Sequence, residues 1–177
     1  MIIRQARLED AAGIAQVYID GWRTTYPGIV PDEYLANMSH EEHTRRWMRI
    51  LSTTDGFVYV AEDGPGNIVG FIWGGPEHNG EHVYKGELHA IYILKTYQDQ
   101  GLGRLLTQAL VKDLLQVGID SMIVWVLAAN PSRHFYETLG AQQVRTGPYQ
   151  VGDITLDDVG YGWTDIRILL DDAPGTD

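Results

Sequence analysis

The chain has 177 residues, of which 44% are hydrophobic and 21% are charged, as is typical of one globular domain rather than a disordered segment. Acidic residues outnumber basic ones by 24 to 13, and the net charge of −11 argues against binding to nucleic acid or to an anionic membrane. The absence of cysteine excludes disulfides, thiolate nucleophiles and cysteine metal sites. The N-terminal residues lack the apolar core of a signal peptide, and no apolar run approaches the roughly 18 residues of a membrane span, so the expected location is the cytoplasm.

The N-terminal part of the chain begins with a strand signal and continues with helix signals. Residues 2–6 have the composition of a short strand, and residues 9–22 place apolar side chains at helical spacing. A loop follows, after which Pro31 suits the first position of a helix. Ser39 and Glu42 have the spacing of a capping box, which predicts that a further helix begins directly after Ser39.

The middle of the chain predicts β-structure. Residues 57–62 and 68–73 are rich in β-branched and aromatic side chains, and the Gly, Pro and Asn residues between them predict a hairpin. The sequence Gly74-Gly75-Pro76 predicts the end of the second strand, because glycine and proline disfavour strand interiors. After a polar loop, residues 87–94 predict a third strand.

The second half of the chain alternates helix and strand patterns. Residues 102–117 have apolar positions at helical spacing, and residues 121–128 are almost wholly apolar, as expected of a strand covered on both faces. Asn130 and Pro131 can cap and start a short helix that ends at Gly140. The remainder up to residue 170 reads as two strands joined near residues 151–153, and residues 171–177 are expected to form a flexible tail.

A glycine-containing loop between a strand and a helix is the most informative segment. The loop includes Gly101 and Gly103 and leads into the helix that begins at Leu102. A helix N-terminus presents unpaired N–H groups that bind phosphate, and glycine lets the backbone approach such a ligand closely. The third glycine of a dinucleotide fingerprint is missing, and no P-loop is present.

Two motifs in this region carry a family resemblance. The segment Gln98-Asp99-Gln100-Gly101-Leu102-Gly103 fits the pattern [QR]-x-x-G-x-[GA] and resembles the pyrophosphate-binding motif of the GNAT superfamily of N-acetyltransferases, which use acetyl-coenzyme A. The segment from Asn130 to Ala141 is similar to the family's later N…FYxxLGF segment, although Ala141 stands where an aromatic residue is common. The resemblance implies one α/β (α+β) domain over residues 1–170: the GNAT fold, a mixed, mostly antiparallel sheet of about seven strands flanked by about four helices.

The resemblance also implies a coenzyme A site. Backbone N–H groups of residues 100–104 would bind the pyrophosphate, assisted by the side chains of Gln98 and Arg104. The backbones of Ile91 and Ile93 would pair with the pantetheine arm as an added strand. Asn130 would bond the pantetheine, or serve only as a helix cap. The expected cofactor-binding residues are Ile91, Ile93, Gln98, Gln100, Gly101, Leu102, Gly103, Arg104 and Asn130.

Three residues are candidates for proton transfer. The family's pattern implies that Tyr136 protonates the leaving thiolate, since a phenol of pKa ~10 can donate to a thiolate whose acid has a pKa near ~8.5. The alternative is that Tyr136 only packs beside Phe135. Glu87 and His89 lie two residues apart on one predicted strand, so both should face the same side and could take the proton of the attacking amine. The alternatives are a solvated strand end for Glu87 and a core position for His89.

The acceptor is the least determined part of the function. Trp22, Tyr26 and Tyr34 could line an acceptor pocket or could simply pack. The expected acceptor is a primary amine of a small molecule, polyamine or amino-acid-like. A protein N-terminus or lysine is the alternative, and a coenzyme-A-binding module without catalysis is a third. No metal site is expected, because His78 and His82 lack further ligands nearby. The oligomeric state stays open, although dimers are common among proteins that resemble this one.

Overall fold

A computed structural model describes residues 1–53, 55–80 and 83–171. The strands in this part of the chain are β1 (Ile2–Gln5), β2 (Phe57–Glu62), β3 (Ile68–Pro76), β4 (Gly86–Ile93), β5 (Met122–Leu127), β6 (Gln142–Val151) and β7 (Ile154–Trp163). The α-helices are α1 (Ala11–Thr25), α2 (Asp32–Ala36), α3 (His40–Leu51), α4 (Leu102–Gln116) and α5 (Arg133–Thr138). Single 3₁₀ turns occupy Leu8–Asp10, Lys95–Tyr97 and Ile166–Leu170.

The strands form one seven-stranded sheet in the order β1-β2-β3-β4-β5-β7-β6. Neighbouring strands are antiparallel except β4 and β5, which run parallel. That parallel pairing joins Gly86–Leu88 to Met122–Val124 and extends no further. The predicted mixed sheet of about seven strands is therefore confirmed, and the described residues contain five α-helices where the family resemblance implied about four.

Helices cover both faces of the sheet. On one face, α4 packs against strands β1 to β4 and buries a row of leucines at helical spacing, namely Leu102, Leu106, Leu110 and Leu114. On the opposite face, α1 buries Ile14 and Ala15, and α3 buries Trp47, which packs on Phe71. Burial of these side chains supplies most of the folding free energy, at roughly 1.5–3 kcal/mol for each large one.

The N-terminal helices differ slightly from the prediction. A 3₁₀ turn at Leu8–Asp10 leads into α1, which continues beyond Trp22 to Thr25. Pro31 lies at the cap position of α2 rather than at its first helical residue. The Ser39 hydroxyl accepts a hydrogen bond from the Glu42 backbone N–H at 3.3 Å, as the capping box predicted for the start of α3. Such a cap contributes about 1 kcal/mol.

The sequence Gly74-Gly75-Pro76 does not end its strand. It continues β3 and pairs with the first residues of β4, with Gly74 opposite Leu88 and Pro76 opposite Gly86. A Cβ atom at Gly74 would lie 2.8 Å from Leu110 of α4, so this glycine serves close packing rather than a turn. The strand-ending prediction was wrong because glycine in a strand also marks a close approach.

The C-terminal part of the chain contains the predicted hairpin. Strands β6 and β7 pair over nearly their whole length across a turn after Val151, and Ile166–Leu170 then packs on α4 as a 3₁₀ helix. Strand β5 is less covered than expected, since Trp125 is 36% exposed. Of the predicted tail, residues 172–177 lie outside the described residues.

Candidate active site

A cavity of about 870 Å³ lies where β4 and β5 diverge. Their backbones separate beyond Leu88 and Val124, so the next residues of each strand have no partner from the other strand. The cavity extends from this opening to the N-terminus of α4 on one side and to the end of α1 and strand β7 on the other. Its volume is in the range of small-molecule and cofactor sites.

A β-bulge in β4 determines which side chains face which side. Trp73 pairs with Ala90 and Gly74 pairs with Leu88, so His89 is an extra residue between them. Leu88 and Ile91 consequently both pack on the α4 side of the sheet. The His89 ring lies on the opposite side, 4.4 Å from the ring of Trp73. Ile91 and Ile93 are thus core side chains whose backbones border the cavity, as expected.

The start of α4 exposes unpaired backbone donors to the cavity. The first hydrogen bond of this helix runs from the Leu105 N–H to the Gly101 carbonyl oxygen at 3.2 Å, so the N–H groups of residues 102–104 have no partner within the helix. Gly101 has a φ of 78°, and Asp99 before it has a φ of 58°. Left-handed residues turn the loop into the helix, and a helix N-terminus with unpaired N–H groups beside a cavity can bind an anion.

The glutamine side chains of this loop stabilise the loop itself. Gln98 donates from Nε2 to the Ile93 carbonyl oxygen at 2.9 Å, and Gln100 donates from Nε2 to the Thr96 carbonyl oxygen at 3.0 Å. Gln98 borders the cavity, whereas Gln100 is not part of its lining. One Nε2 hydrogen of each glutamine thus has a partner in the backbone of the protein itself.

Gly103 and Arg104, unlike Gly101, contact other segments of the protein. A Cβ atom at Gly103 would lie 2.9 Å from the Phe135 ring, so this glycine is needed for the packing of α5 on α4. The interpretation that Gly103 gives room to a phosphate is thus not required by the geometry. Arg104 borders the cavity and donates to the carbonyl oxygen of Asp171 at 3.1 Å.

Asn130 lies in the cavity wall and links two elements. Its Nδ2 donates to the Tyr26 hydroxyl at 3.0 Å, and its Oδ1 accepts from the Ser132 N–H at 2.8 Å. The Asn130 carbonyl oxygen also accepts from the Arg133 N–H at 3.3 Å, so Asn130 caps the turn that leads into α5. The bond to Tyr26 additionally connects the end of α1 to the loop after β5.

Tyr136 projects from α5 towards the same cavity. Its side chain is buried and packs against the rings of Phe135, Tyr161 and Trp163. Burial raises the pKa of the phenol above its usual value, so the hydroxyl remains protonated at neutral pH. The described part of the chain supplies no hydrogen-bond partner to this hydroxyl, which borders the cavity as a donor.

Glu87 and His89 lie beside one another, as their spacing predicted. Glu87 Oε1 is 3.4 Å from His89 Nδ1, and both side chains are largely buried, at 13% and 22% exposure. Glu87 Oε2 accepts a hydrogen bond from Asn79 at 3.1 Å. Both residues line the cavity on the side of the sheet that faces α3. The pair is positioned to take a proton from a group in the cavity.

Two of the three aromatic candidates line the cavity. Trp22 and Tyr26 are buried in its wall with ring centroids 4.7 Å apart. Tyr34 is 39% exposed and packs beside Trp22, outside the lining. Trp22 Nε1 is buried and has no hydrogen-bond partner among the described residues. A ligand with an acceptor atom at that position would satisfy this donor.

Asp158 is a buried carboxylate that the sequence analysis did not identify. It lies on β7, is 8% exposed and lines the cavity. Burial raises its pKa to about 6, the Val159 backbone N–H lowers it, and the charge of Glu87 raises it. The signal was present in the sequence, because strand alternation places Asp158 on the same face as the apolar residues Ile154 and Leu156.

The described residues contain no group of three or more His, Asp or Glu side chains arranged to bind a metal ion. Within the same residues, every helix is too short or too polar to cross a membrane.

Comparison with known proteins determines the family. The model of the Acetyltransferase (GNAT) family matches residues 15–141. The chain belongs to the GNAT family. It is 40% identical over 167 residues to the uncharacterized N-acetyltransferase YuaI of Bacillus subtilis (strain 168), covering 94% of this chain and 95% of YuaI. It is also 34% identical over 98 residues to mycothiol acetyltransferase of Saccharomonospora viridis, covering 52% of this chain and 31% of that protein.

Solved structures agree in fold with this GNAT chain. The PaiA N-acetyltransferase of Thermoplasma acidophilum, solved in complex with coenzyme A, has a TM-score of 0.71 at 23% identity and covers 91% of this chain and 96% of its own. YncA of Salmonella typhimurium, solved with its cofactor acetyl-CoA, has a TM-score of 0.67 at 20% identity and covers 100% and 98%. The GNAT fold and an acetyl-coenzyme-A-dependent N-acetyltransferase activity are therefore assigned to this chain.

Proposed function

We propose that this GNAT enzyme transfers the acetyl group of acetyl-coenzyme A to a primary amine of a small molecule, polyamine or amino-acid-like, by direct attack in a ternary complex. The observation that carries the proposal is one cavity that is bordered both by the free N–H groups at the start of α4 and by Tyr136, Glu87 and His89. An anion site and proton-transfer groups are thereby within reach of one extended ligand.

The cofactor would occupy the α4 side and the opening between β4 and β5. Backbone N–H groups of residues 100–104, of which those of 102–104 have no partner within α4, would bind the pyrophosphate, supported by the positive end of the α4 dipole. The pantetheine arm would pair with the β4 backbone at Ile91 and Ile93, which has no partner from β5 there. No metal is part of the proposed reaction.

The reaction would proceed by addition and elimination. The amine, brought to its neutral form as Glu87 or His89 accepts a proton directly or through water, forms a bond from nitrogen to the thioester carbon. A backbone N–H of β4 would stabilise the oxyanion. Collapse breaks the carbon–sulfur bond, Tyr136 donates a proton to the thiolate, and the nitrogen loses its second proton to solvent. Solvent then returns a proton to Tyr136 and accepts the proton held by Glu87 or His89. The products are the N-acetylated amine and coenzyme A, and positioning of the two substrates supplies much of the rate.

A small-molecule acceptor is favoured over a protein N-terminus or lysine by the walls beyond Glu87. There the cavity is bordered by buried aromatic side chains and by the buried carboxylate of Asp158. Such walls suit a compact ligand that is surrounded on several sides. The cytoplasmic location, the homodimer and the single domain over residues 1–170 stay predictions.

The test is release of free thiol from acetyl-coenzyme A by the purified protein with a panel of small amines and with peptides carrying a free N-terminus or a lysine. We expect turnover with at least one small amine, and the acetylated product identified by mass spectrometry. Turnover with peptides alone would select the protein-acceptor alternative. Tight coenzyme A binding without thiol release from any amine or peptide would select the non-catalytic module.

A further inference from the structure

We infer that Asp158 binds a second, non-reacting ammonium group of the acceptor, so that the acceptor is a diamine or a longer polyamine. The inference rests on the proposed amine acetylation and narrows its substrate class. It assigns a specificity-determining role to a residue that lies outside both sequence motifs of the family.

The position of Asp158 places its carboxylate on the acceptor side of the cavity. Asp158 lies on β7 opposite Leu127 of β5, beyond the point where β4 and β5 diverge. Its face of β7 also carries Leu156, which packs with the Trp22 cluster at the end of α1. The cofactor-binding N–H groups of α4 lie on the other face of the sheet.

The charge of Asp158 is not neutralised by the protein. Asp10, another buried carboxylate, forms an ion pair with Arg4 at 2.7 Å. Asp158 has no ion pair among the described residues, and the charged side chain that most affects it is Glu87, which is also negative. A buried carboxylate without a cation is costly, and it is expected where a ligand supplies the cation.

Aromatic side chains line the same cavity as Asp158. Its charge contributes to the raised pKa values of Tyr26 and Tyr149, for which burial is the largest cause, so both phenols lie near the carboxylate. The Trp125 ring borders the same cavity. It lies 3.5 Å from where a Cβ atom would be at Gly160, which is two residues after Asp158 on β7 and on the same face. Aromatic faces combined with a carboxylate attract an alkylammonium group.

The reacting amine alone does not account for both carboxylates. The attacking nitrogen must be uncharged, and Glu87 with His89 is positioned to take its proton. A monoamine would then leave Asp158 without a counter-ion during the reaction, whereas a diamine keeps one ammonium charged throughout. The exposed Arg46 borders the cavity from α3 and disfavours a further cation at that rim. One acceptor with two amino groups, the reacting one at Glu87 and the charged one at Asp158, therefore fits the charges of the cavity.

The experiment compares Asp158→Asn with Asp157→Asn. Both variants remove one negative charge from adjacent positions of β7, but Asp157 is exposed on the opposite face. The substrates are putrescine and butylamine, which have the same carbon chain and differ by one amine. We expect the ratio of kcat/KM for putrescine to that for butylamine to fall about 10- to 100-fold in Asp158→Asn, as for loss of a charged hydrogen bond, and to stay at its wild-type value in Asp157→Asn.

The outcomes separate this inference from the proposed function. An unchanged ratio in a folded Asp158→Asn enzyme would overturn the inference, as would an equal loss of kcat for both amines, which would make Asp158 a base. Calorimetric binding of the two amines to the coenzyme-A-bound wild type needs neither catalysis nor a stable variant. Tighter binding of putrescine than of butylamine supports the inference even if no amine is acetylated. Equal binding contradicts it even if amines are acetylated.

Discussion

The buried carboxylate of Asp158 should make the stability of the protein depend on pH in a particular direction. Its pKa is about 6 in the folded protein against an ordinary value of 3.8. A carboxyl group with a raised pKa binds more protons in the folded than in the unfolded state, so the folded protein loses stability as pH rises from about 4 through 6. Replacement by asparagine removes this ionisation and therefore this loss.

The magnitude follows from the size of the shift. One pKa unit corresponds to about 1.4 kcal/mol. Of the shift from 3.8 to about 6, roughly 1.5 units lie above pH 4.5, where the measurements begin, and correspond to about 2 kcal/mol. The carboxylate borders an open cavity rather than a sealed interior, so we expect wild type to lose about 1–2 kcal/mol relative to Asp158→Asn between pH 4.5 and 8. Any cost of placing an amide at this position is independent of pH and cancels in this difference.

Urea unfolding of both proteins at a series of pH values measures the effect, with Asp157→Asn as the control for a change of net charge. Asp157 is exposed, so its variant should follow wild type within a few tenths of a kcal/mol. Glu87, Tyr26 and Tyr149 face Asp158 and are present in all three proteins. Identical pH dependence in the two variants, or a wild type that gains stability over Asp158→Asn as pH rises, would refute the reasoning.

Three further predictions concern the cofactor and the chemistry. Tyr136→Phe should lower kcat by ~10²–10⁴-fold with little change in KM, because the phenol acts mainly in the transition state; full kcat where chemistry is rate-limiting would contradict its role as acid. Gly101→Ala and Gly118→Ala each place a Cβ atom in open space on a residue with a φ near 80°, so each should lower the stability by about 1–2 kcal/mol. Calorimetry should find weaker coenzyme A binding in Gly101→Ala alone. Glu87→Gln should remove or displace the acidic limb of the pH–rate profile more than His89→Gln does, and a wild-type profile in Glu87→Gln would assign proton removal to His89 or water.

The sequence was sufficient to predict elements whose signals are local. The hairpin of β2 and β3 followed from a turn-rich segment between two β-rich runs, and α4 followed from the spacing of its leucines. The start of α3 followed from one side chain, Ser39, and its backbone partner. In each case the residues that determine the element lie within a few positions of one another.

Features that depend on contacts between distant segments could not be predicted in this way. The divergence of β4 from β5 depends on how far a parallel pairing extends, and nothing in either strand sequence marks Leu88 as its last member. The packing of Leu110 on Gly74 is a contact between α4 and β3, which are distant in the sequence, so the local Gly-Gly-Pro signal gave no indication that β3 continues. Strand alternation places Asp158 on the apolar face and Asp157 on the exposed one, but only the pairing of β7 with β5 shows that this apolar face borders the cavity.

The bulge at His89 allows strand β4 to border both the proposed amine site and the proposed pantetheine path. In a regular strand, Glu87, His89, Ile91 and Ile93 would all face the same side. The extra residue at His89 reverses the alternation, so Glu87 and His89 face the α3 side while Ile91 and Ile93 pack against α4. The carboxylate that would deprotonate the amine and the apolar residues beside the proposed pantetheine path are therefore on opposite faces of β4. The thioester would lie between them, at the opening where β5 no longer pairs with β4 and a backbone N–H of β4 would stabilise the oxyanion.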